Sequence, residues 1–326
     1  MRALGLSTLL ALLAPAAGAA AGGPAGPGSV VAADGSGDFA TVQEAINAAP
    51  QNAGPGAPWV IHVKPGNYHE LVYIQREKRF VRLVGADASR TTITFGLHAS
   101  MPGGDGKPIG TFRTPTVWID ADDFSAENLT IANSAGRVGQ ALALRVDGDR
   151  VAFRRCNFVG WQDTILVNRG RQYFRDCAIT GAVDFIFGAA TAYFDRCDIS
   201  CAGAGYITAA STPAAQPYGF IFSHCRIGGT SGSASTYLGR PWRPYGCVAF
   251  LDCDMSSVVR TEGWDNWRKK SNEATARFSE FGSKGDGADP SGRVPWARPI
   301  TAQKAAQCTA AAVLGGSDGW DPTQKD

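Results

Sequence analysis

CNFVGWQDTILVNRGRQYFRDCAITGAVDFIFG, residues 156–188, carries one short pattern twice. Cys156 is followed seven residues later by Asp163, and Cys177 seven residues later by Asp184. Each cysteine lies three residues after a phenylalanine, Phe153 and Phe174, so the two aspartates hold equivalent places in consecutive repeats of 21 residues. The Phe-x-x-Cys element returns at Phe194–Cys197, Phe222–Cys225 and Phe250–Cys253, within short β-rich pieces such as TAYFD, GFIFS and CVAFL. Repeats of this length with almost no helical periodicity predict a solenoid of stacked strands, and a right-handed parallel β-helix fits best. Equivalent residues of neighbouring turns then stack at roughly 4.8 Å. The cysteines form an inward ladder, and Asp163 and Asp184 become neighbours on one face.

Working outward, residues 38–50 place Val42, Ala45, Ile46 and Ala49 on one helix face, with Pro50 as the stop. A short amphipathic helix here covers the open N-terminal end of the solenoid, whose backbone groups are otherwise unpaired. Strand character follows at 59–63, 68–74, 80–84, 91–95, 116–119, 128–131 and 140–144, with residues 64–67 as a turn and 101–108 as a loop. The sequon at Asn128 falls in a coil interior and carries no weight. After Cys253 the repeat fades into long loops that lay Trp264, Trp267 and Trp296 along the outside, and residues 303–314 form a final helix. Residues 31–326 thus make one all-β domain.

The first 21 residues combine Arg2, an apolar run from Leu4 to Leu13 and a small-residue exit, which reads as a signal peptide cleaved near Ala19 to Ala21. Residues 22–30 read as a flexible lead. No apolar run is long enough for a mature transmembrane helix, so an exported, soluble, secreted protein with no membrane contact is expected. The 326 residues include 40 glycines, 18% are charged, and the formal net charge is +2. That balance points away from nucleic acid, and the cluster from Trp267 to Lys270 reads as a solvated loop face. Two fates are open for the eight cysteines: a bridge such as Cys177 with Cys197, within the reach of adjacent turns, or a buried ladder of free thiols. No spacing suggests zinc, and a monomer is the default for a solenoid capped at both ends.

Two carboxylates held together cannot both ionise cheaply, so one becomes a proton donor while the other stays anionic. Arg240, in Leu238-Gly-Arg-Pro-Trp242, is placed to hold its partner ionised. The plainer reading is two equivalent turns that happen to use Asp. Asp184, however, sits inside the apolar run from Val183 to Phe187, where a turn residue is costly to bury.

The segments Gly66-x-Tyr68-x-Glu70, Gln140-Ala-Leu-Ala-Leu144, Gln162-Asp-Thr-Ile165, Gly181-Ala-Val-Asp-Phe-Ile-Phe-Gly188 and Leu238-Gly-Arg-Pro-Trp242 resemble, in order and spacing, the signature segments of pectin methylesterases. The resemblance implies a right-handed parallel β-helix acting without metal or cofactor on methylated homogalacturonan, a polysaccharide. It implies Asp184 as nucleophile, Asp163 as general acid and then base, Gln140 and Gln162 as oxyanion donors and Arg240 as the partner of Asp184. Trp242, Phe187, Val183 and Thr111 become substrate contacts. The chain departs from the family at Ala189-Ala190 and at Thr208-Ala-Ala-Ser211, where Thr-Ala-Gln-Gly is common, so substrate preference is the property those departures touch. Other readings are a lyase or glycosidase on the same fold, a polysaccharide binder without turnover, and an esterase on another substrate. The Gly-x-Ser-x-Gly around Ser317 has no following helix and no downstream His, so it reads as a surface turn.

Overall fold

A computed structural model describes residues 28–324, and the expected signal peptide lies outside them. The strands stack in parallel into a coil with three walls. The first wall is a ten-stranded ladder. It starts at Gly28–Val31, three residues earlier than the expected start at Val31 and so overlapping the end of the expected flexible lead, and ends at Arg277–Phe281. The second and third walls merge where two long strands, Ala178–Gly188 and Asp198–Ala210, run around a corner and belong to both. Thr236–Pro241 closes the third wall against the second half of Asp198–Ala210.

The Phe-x-x-Cys element explains the regularity of the interior. Its phenylalanines face each other across rungs of the first wall, with ring centroids 4.8 Å apart for Phe153 and Phe174, 4.7 Å for Phe174 and Phe194, 4.5 Å for Phe194 and Phe222, and 4.4 Å for Phe222 and Phe250. All eight cysteines are free thiols, which decides between the two fates open from the sequence. The ladder thiols of Cys177, Cys197, Cys225 and Cys253 donate to the carbonyls of Phe153, Phe174, Phe194 and Phe222 on the preceding rung. The residue before each cysteine turns the corner with positive φ: Arg155, Asp176, Arg196, His224 and Asp252. Asn128 holds the same corner with φ 56°, so it is a turn residue and not part of a coil interior.

The N-terminal helix is Val42–Ala48. Thr41 and Glu44 form a reciprocal capping box. The Glu70 carboxylate accepts from the N–H groups of Val42 and Gln43 at 2.8 and 2.9 Å, which gives this member of the Gly66-x-Tyr68-x-Glu70 segment a structural duty: an anion at the positive end of the helix. Buried Lys78 closes the other end by donating to the carbonyls of Asn47 and Ala49.

Several expectations need correction. The strand expected over 140–144 begins only at Leu144: Gln140 makes an isolated bridge to Gln162, and the Leu142 N–H is taken by the Thr114 hydroxyl, which breaks the regular pairing although residues 141–143 stay buried. Gly66 and Asn67 already belong to a strand, Gly66–His69. Trp264 is not on the outside: it is 1% exposed and stacks on Phe278 at 4.5 Å, continuing the aromatic column past the last cysteine. The final helix is two, Ala302–Ala306 and Ala310–Leu314, because the Thr309 side chain caps a new start. The second helix packs Val313 and Leu314 among Tyr173 and Tyr193 on the outer face of the first wall. Ser317 is exposed in a turn, and its neighbour Asp318 bonds Arg171 and Arg150. No helix among the described residues is long and apolar enough to cross a membrane.

Candidate active site

The outer face of the third wall brings the aspartates together. Gln140 lies beside Gln162 and Gln162 beside Val183 on successive rungs, and the Asp163 N–H donates to the Val183 carbonyl at 3.0 Å. Asp163 therefore sits one rung before Asp184, as the repeat required. Both adopt left-handed backbone, φ 62° and 49°, a conformation Asp tolerates better than most residues. The register shifts between Val183 and Ile186, so Asp184 occupies an irregularity in the long strand while Phe185 and Ile186 are buried in the core.

Thr236–Pro241 supplies the cation. Arg240 donates from Nε to Asp184 Oδ1 at 2.9 Å and from Nη2 to Oδ2 at 2.6 Å, a two-pronged pair whose side chains are 19% and 8% exposed. Gly239 is required beneath it: a Cβ there would meet Thr208 Oγ1 at 1.9 Å. The two carboxyls differ in surroundings. Burial raises Asp184 above the ordinary carboxylate range, while the Arg240 hydrogen bonds and charge pull it back. Asp163 has no side-chain partner among the described residues. Burial, then the charge of Asp184, push it up to about 8, with Arg240 opposing only through space. Near neutral pH Asp163 is the protonated member and Asp184 the anion.

Beside the acids, the side-chain amides of Gln140 and Gln162 make no hydrogen bond among the described residues, so their N–H groups are free to meet an oxyanion. Leu142, Leu166, Phe187 and Ala209 make an apolar floor, with Trp242 and Trp267 against it. Phe187 and Trp242 meet edge to face at 5.8 Å. Val183 is half-buried next to Asp184. Thr111 lies in a single 3-10 turn, Thr111–Arg113, where its carbonyl is taken by Thr114. The ring brought to Trp242 is that of its exposed neighbour Phe112, at 6.4 Å. Trp267 does not belong to a solvated loop face; only Arg268, Lys269 and Lys270 are exposed there.

The sequence profile of the family described as Pectinesterase matches residues 28–317. The chain belongs to the pectinesterase family. It is 41% identical over 276 residues to Pectinesterase 31 of Arabidopsis thaliana, across 83% of this chain and 86% of that protein. Pectin methylesterase from carrot superposes with a TM-score of 0.83 at 34% identity, over 91% of this chain and 96% of that one. A pectin methylesterase crystallised in complex with a hexasaccharide matches with a TM-score of 0.78 at 32% identity, over 91% and 98%. The right-handed parallel β-helix expected from the repeats is the fold this pectinesterase shares with them.

The sequence reading missed Tyr206. Its ring lies over the Arg240 guanidinium, and the Trp267 ring covers the opposite face. The Cys-plus-seven count that finds Asp163 and Asp184 reaches Ala204 from Cys197, because this turn is longer. The signal that would have found Tyr206 is its alignment with Tyr237 of the next strand.

Proposed function

We propose that Asp184 and Asp163 hydrolyse the C6 methyl esters of galacturonate units in pectin, giving pectate and methanol. The observation that carries this is the pairing of an anionic Asp184, held by two bonds from Arg240, with a partnerless Asp163 pushed up to about 8. An Asp184 oxygen attacks the ester carbonyl carbon. Negative charge gathers on the carbonyl oxygen, where the amide N–H groups of Gln140 and Gln162 receive it. Collapse breaks the bond to the methoxy group, which leaves as methanol with the proton of Asp163. Water then attacks the anhydride and gives a proton to Asp163. Asp184 departs as carboxylate, and the galacturonic acid loses its own proton to solvent.

The aromatic floor of Phe187 and Trp242, with Val183 at its edge and Thr111 beside Phe112, is the proposed seat of the sugar rings. A related enzyme of similar structure was solved with a hexasaccharide, which supports a polysaccharide occupant for this groove. Ala210, at the departure in residues 208–211, is buried in the interior cluster. Ala209 of the same segment belongs to the apolar floor and pairs with Arg240, so the segment borders the groove from below. Release of methanol from highly methylated pectin by the purified protein tests the reading; a folded protein that releases none refutes it.

Gln162→Ala is expected to lower kcat about 10²–10³-fold with KM nearly unchanged, since the donor acts on charge that exists only in the transition state. Steady-state methanol release checks it, and a change confined to KM would reassign Gln162 to ground-state binding. Export as a soluble monomer is part of the proposal and rests on the pattern of residues 1–21. N-terminal sequencing of protein recovered outside the cell is expected to begin between Ala19 and Gly22, and a protein retained with Met1 or Arg2 at its start would refute cleavage.

A further inference from the structure

The guanidinium of Arg240 is held in a vice. Its Cζ lies 3.7 Å from the centre of the Tyr206 ring and 3.8 Å from that of Trp267, so both flat faces are covered while one edge faces Asp184. Tyr206 is itself braced. Its ring stacks on Tyr237 of the adjoining strand at 5.3 Å and 9°, and Arg260 lies 4.7 Å over Tyr237 while reaching Glu262 with its own Nη2. The column runs Arg260, Tyr237, Tyr206, Arg240, Trp267. The Tyr206 hydroxyl makes no hydrogen bond among the described residues, so the ring is what this position contributes.

We propose that Tyr206 is a positioning residue of the reaction: its ring fixes the plane of Arg240 and keeps water off one face, so that both N–H groups stay on Asp184. The inference rests on the reading of Asp184 as nucleophile and Arg240 as its partner. A guanidinium with an uncovered face can rotate about its last bonds and exchange a carboxylate oxygen for water, and the pull that keeps Asp184 anionic weakens. A planar cation between two rings is worth most where it is desolvated, which is the case here. Trp267 is the poorer probe of the vice, because it also packs against the apolar floor proposed for the sugar.

The test is a pH profile of methanol release by Tyr206→Leu, Tyr206→Met, which retains more bulk, and Tyr206→Phe. Without the ring, Asp184 takes its proton at higher pH, so the acid limb of kcat/KM moves up by about one pH unit. At the optimum kcat/KM falls ~10- to 30-fold, mainly through kcat. Tyr206→Phe keeps the ring and restores the parent profile. In an Arg240→Lys background, which has no planar fork to align, adding Tyr206→Leu is expected to cost less than about threefold. The proposal is overturned if Leu and Met variants that melt like the parent keep its acid limb, if Phe is as defective as Leu, or if the loss in the Lys background is as large as in the parent. The wider reading fails in a different way, with a parent that releases no methanol or an Asp184→Asn variant that still does.

Discussion

Asp184→Asn is expected to leave the coil folded and to cut methanol release about 10⁴–10⁶-fold, the range seen when a covalent nucleophile is removed from a hydrolase. The amide fills the same space and still offers Arg240 one acceptor, but it lacks the anionic electron pair that forms the anhydride. Burial adds a second consequence. Arg240 loses its charge partner while both its faces stay covered by Tyr206 and Trp267, so stability falls by about 1–3 kcal/mol. Asp163 also loses the charge that helped to raise it, and its proton should leave at lower pH than in the parent. Methanol assays beside thermal melts check all three points. A well-folded variant with more than a tenth of the parent rate would remove Asp184 from the mechanism.

Asp163→Asn is expected to slow the first turnover about 10²–10⁴-fold, the worth of a placed general acid, and at the same time to stabilise the protein above neutral pH. The sign follows from linkage. The Asp163 carboxyl is raised from the ordinary carboxylate range to about 8 by burial and the charge of Asp184, so the folded state holds a proton that the unfolded state gives up from about pH 4 upward. Folding is therefore penalised progressively from about pH 4 to pH 8 and by a constant amount above that. The penalty is on the order of 5 kcal/mol at most. An unpaired buried amide in its place costs about 1–3 kcal/mol at every pH. The variant should thus melt above the parent at pH 8 and at or below it at pH 4. In the parent, kcat/KM on methylated pectin should fall as pH rises through about 8, where the acid loses its proton. Parallel melting curves for variant and parent across this range would rule out a buried, protonated Asp163.

The stability that Asp163 gives up is what a proton donor in this position requires, and it is a local cost on a scaffold with strength elsewhere. The aromatic column from Phe153 to Phe278 and the thiol ladder continue behind the site without interruption. The left-handed turns at Asp163 and Asp184 can therefore be tolerated.

The fold was legible because it is periodic. A parallel coil repeats one environment per turn, so Phe153, Phe174, Phe194, Phe222 and Phe250 had to recur wherever the interior of the first wall recurs, and Cys156 and Cys177 fixed the phase at which Asp163 and Asp184 align. Arg240, Gln140 and Gln162 came from ordered segments that resemble a family, and the first wall's register needed no other information. What the chain alone could not give lies where the period breaks or where partners are distant in sequence. Trp264 enters the core without a cysteine to mark it. The Thr114 hydroxyl takes the Leu142 N–H and breaks the pairing over a strand pattern, and Thr309 interrupts a continuous helix pattern with a cap. Tyr206 reaches Arg240 only because a lengthened turn brings 206 and 237 side by side. The separation of two identical carboxyls into acid and anion was likewise decided in three dimensions: Asp184 is buried and Asp163 half-buried one rung before it, and the reach of Arg240, 56 residues beyond Asp184, gives a cation to one of them alone.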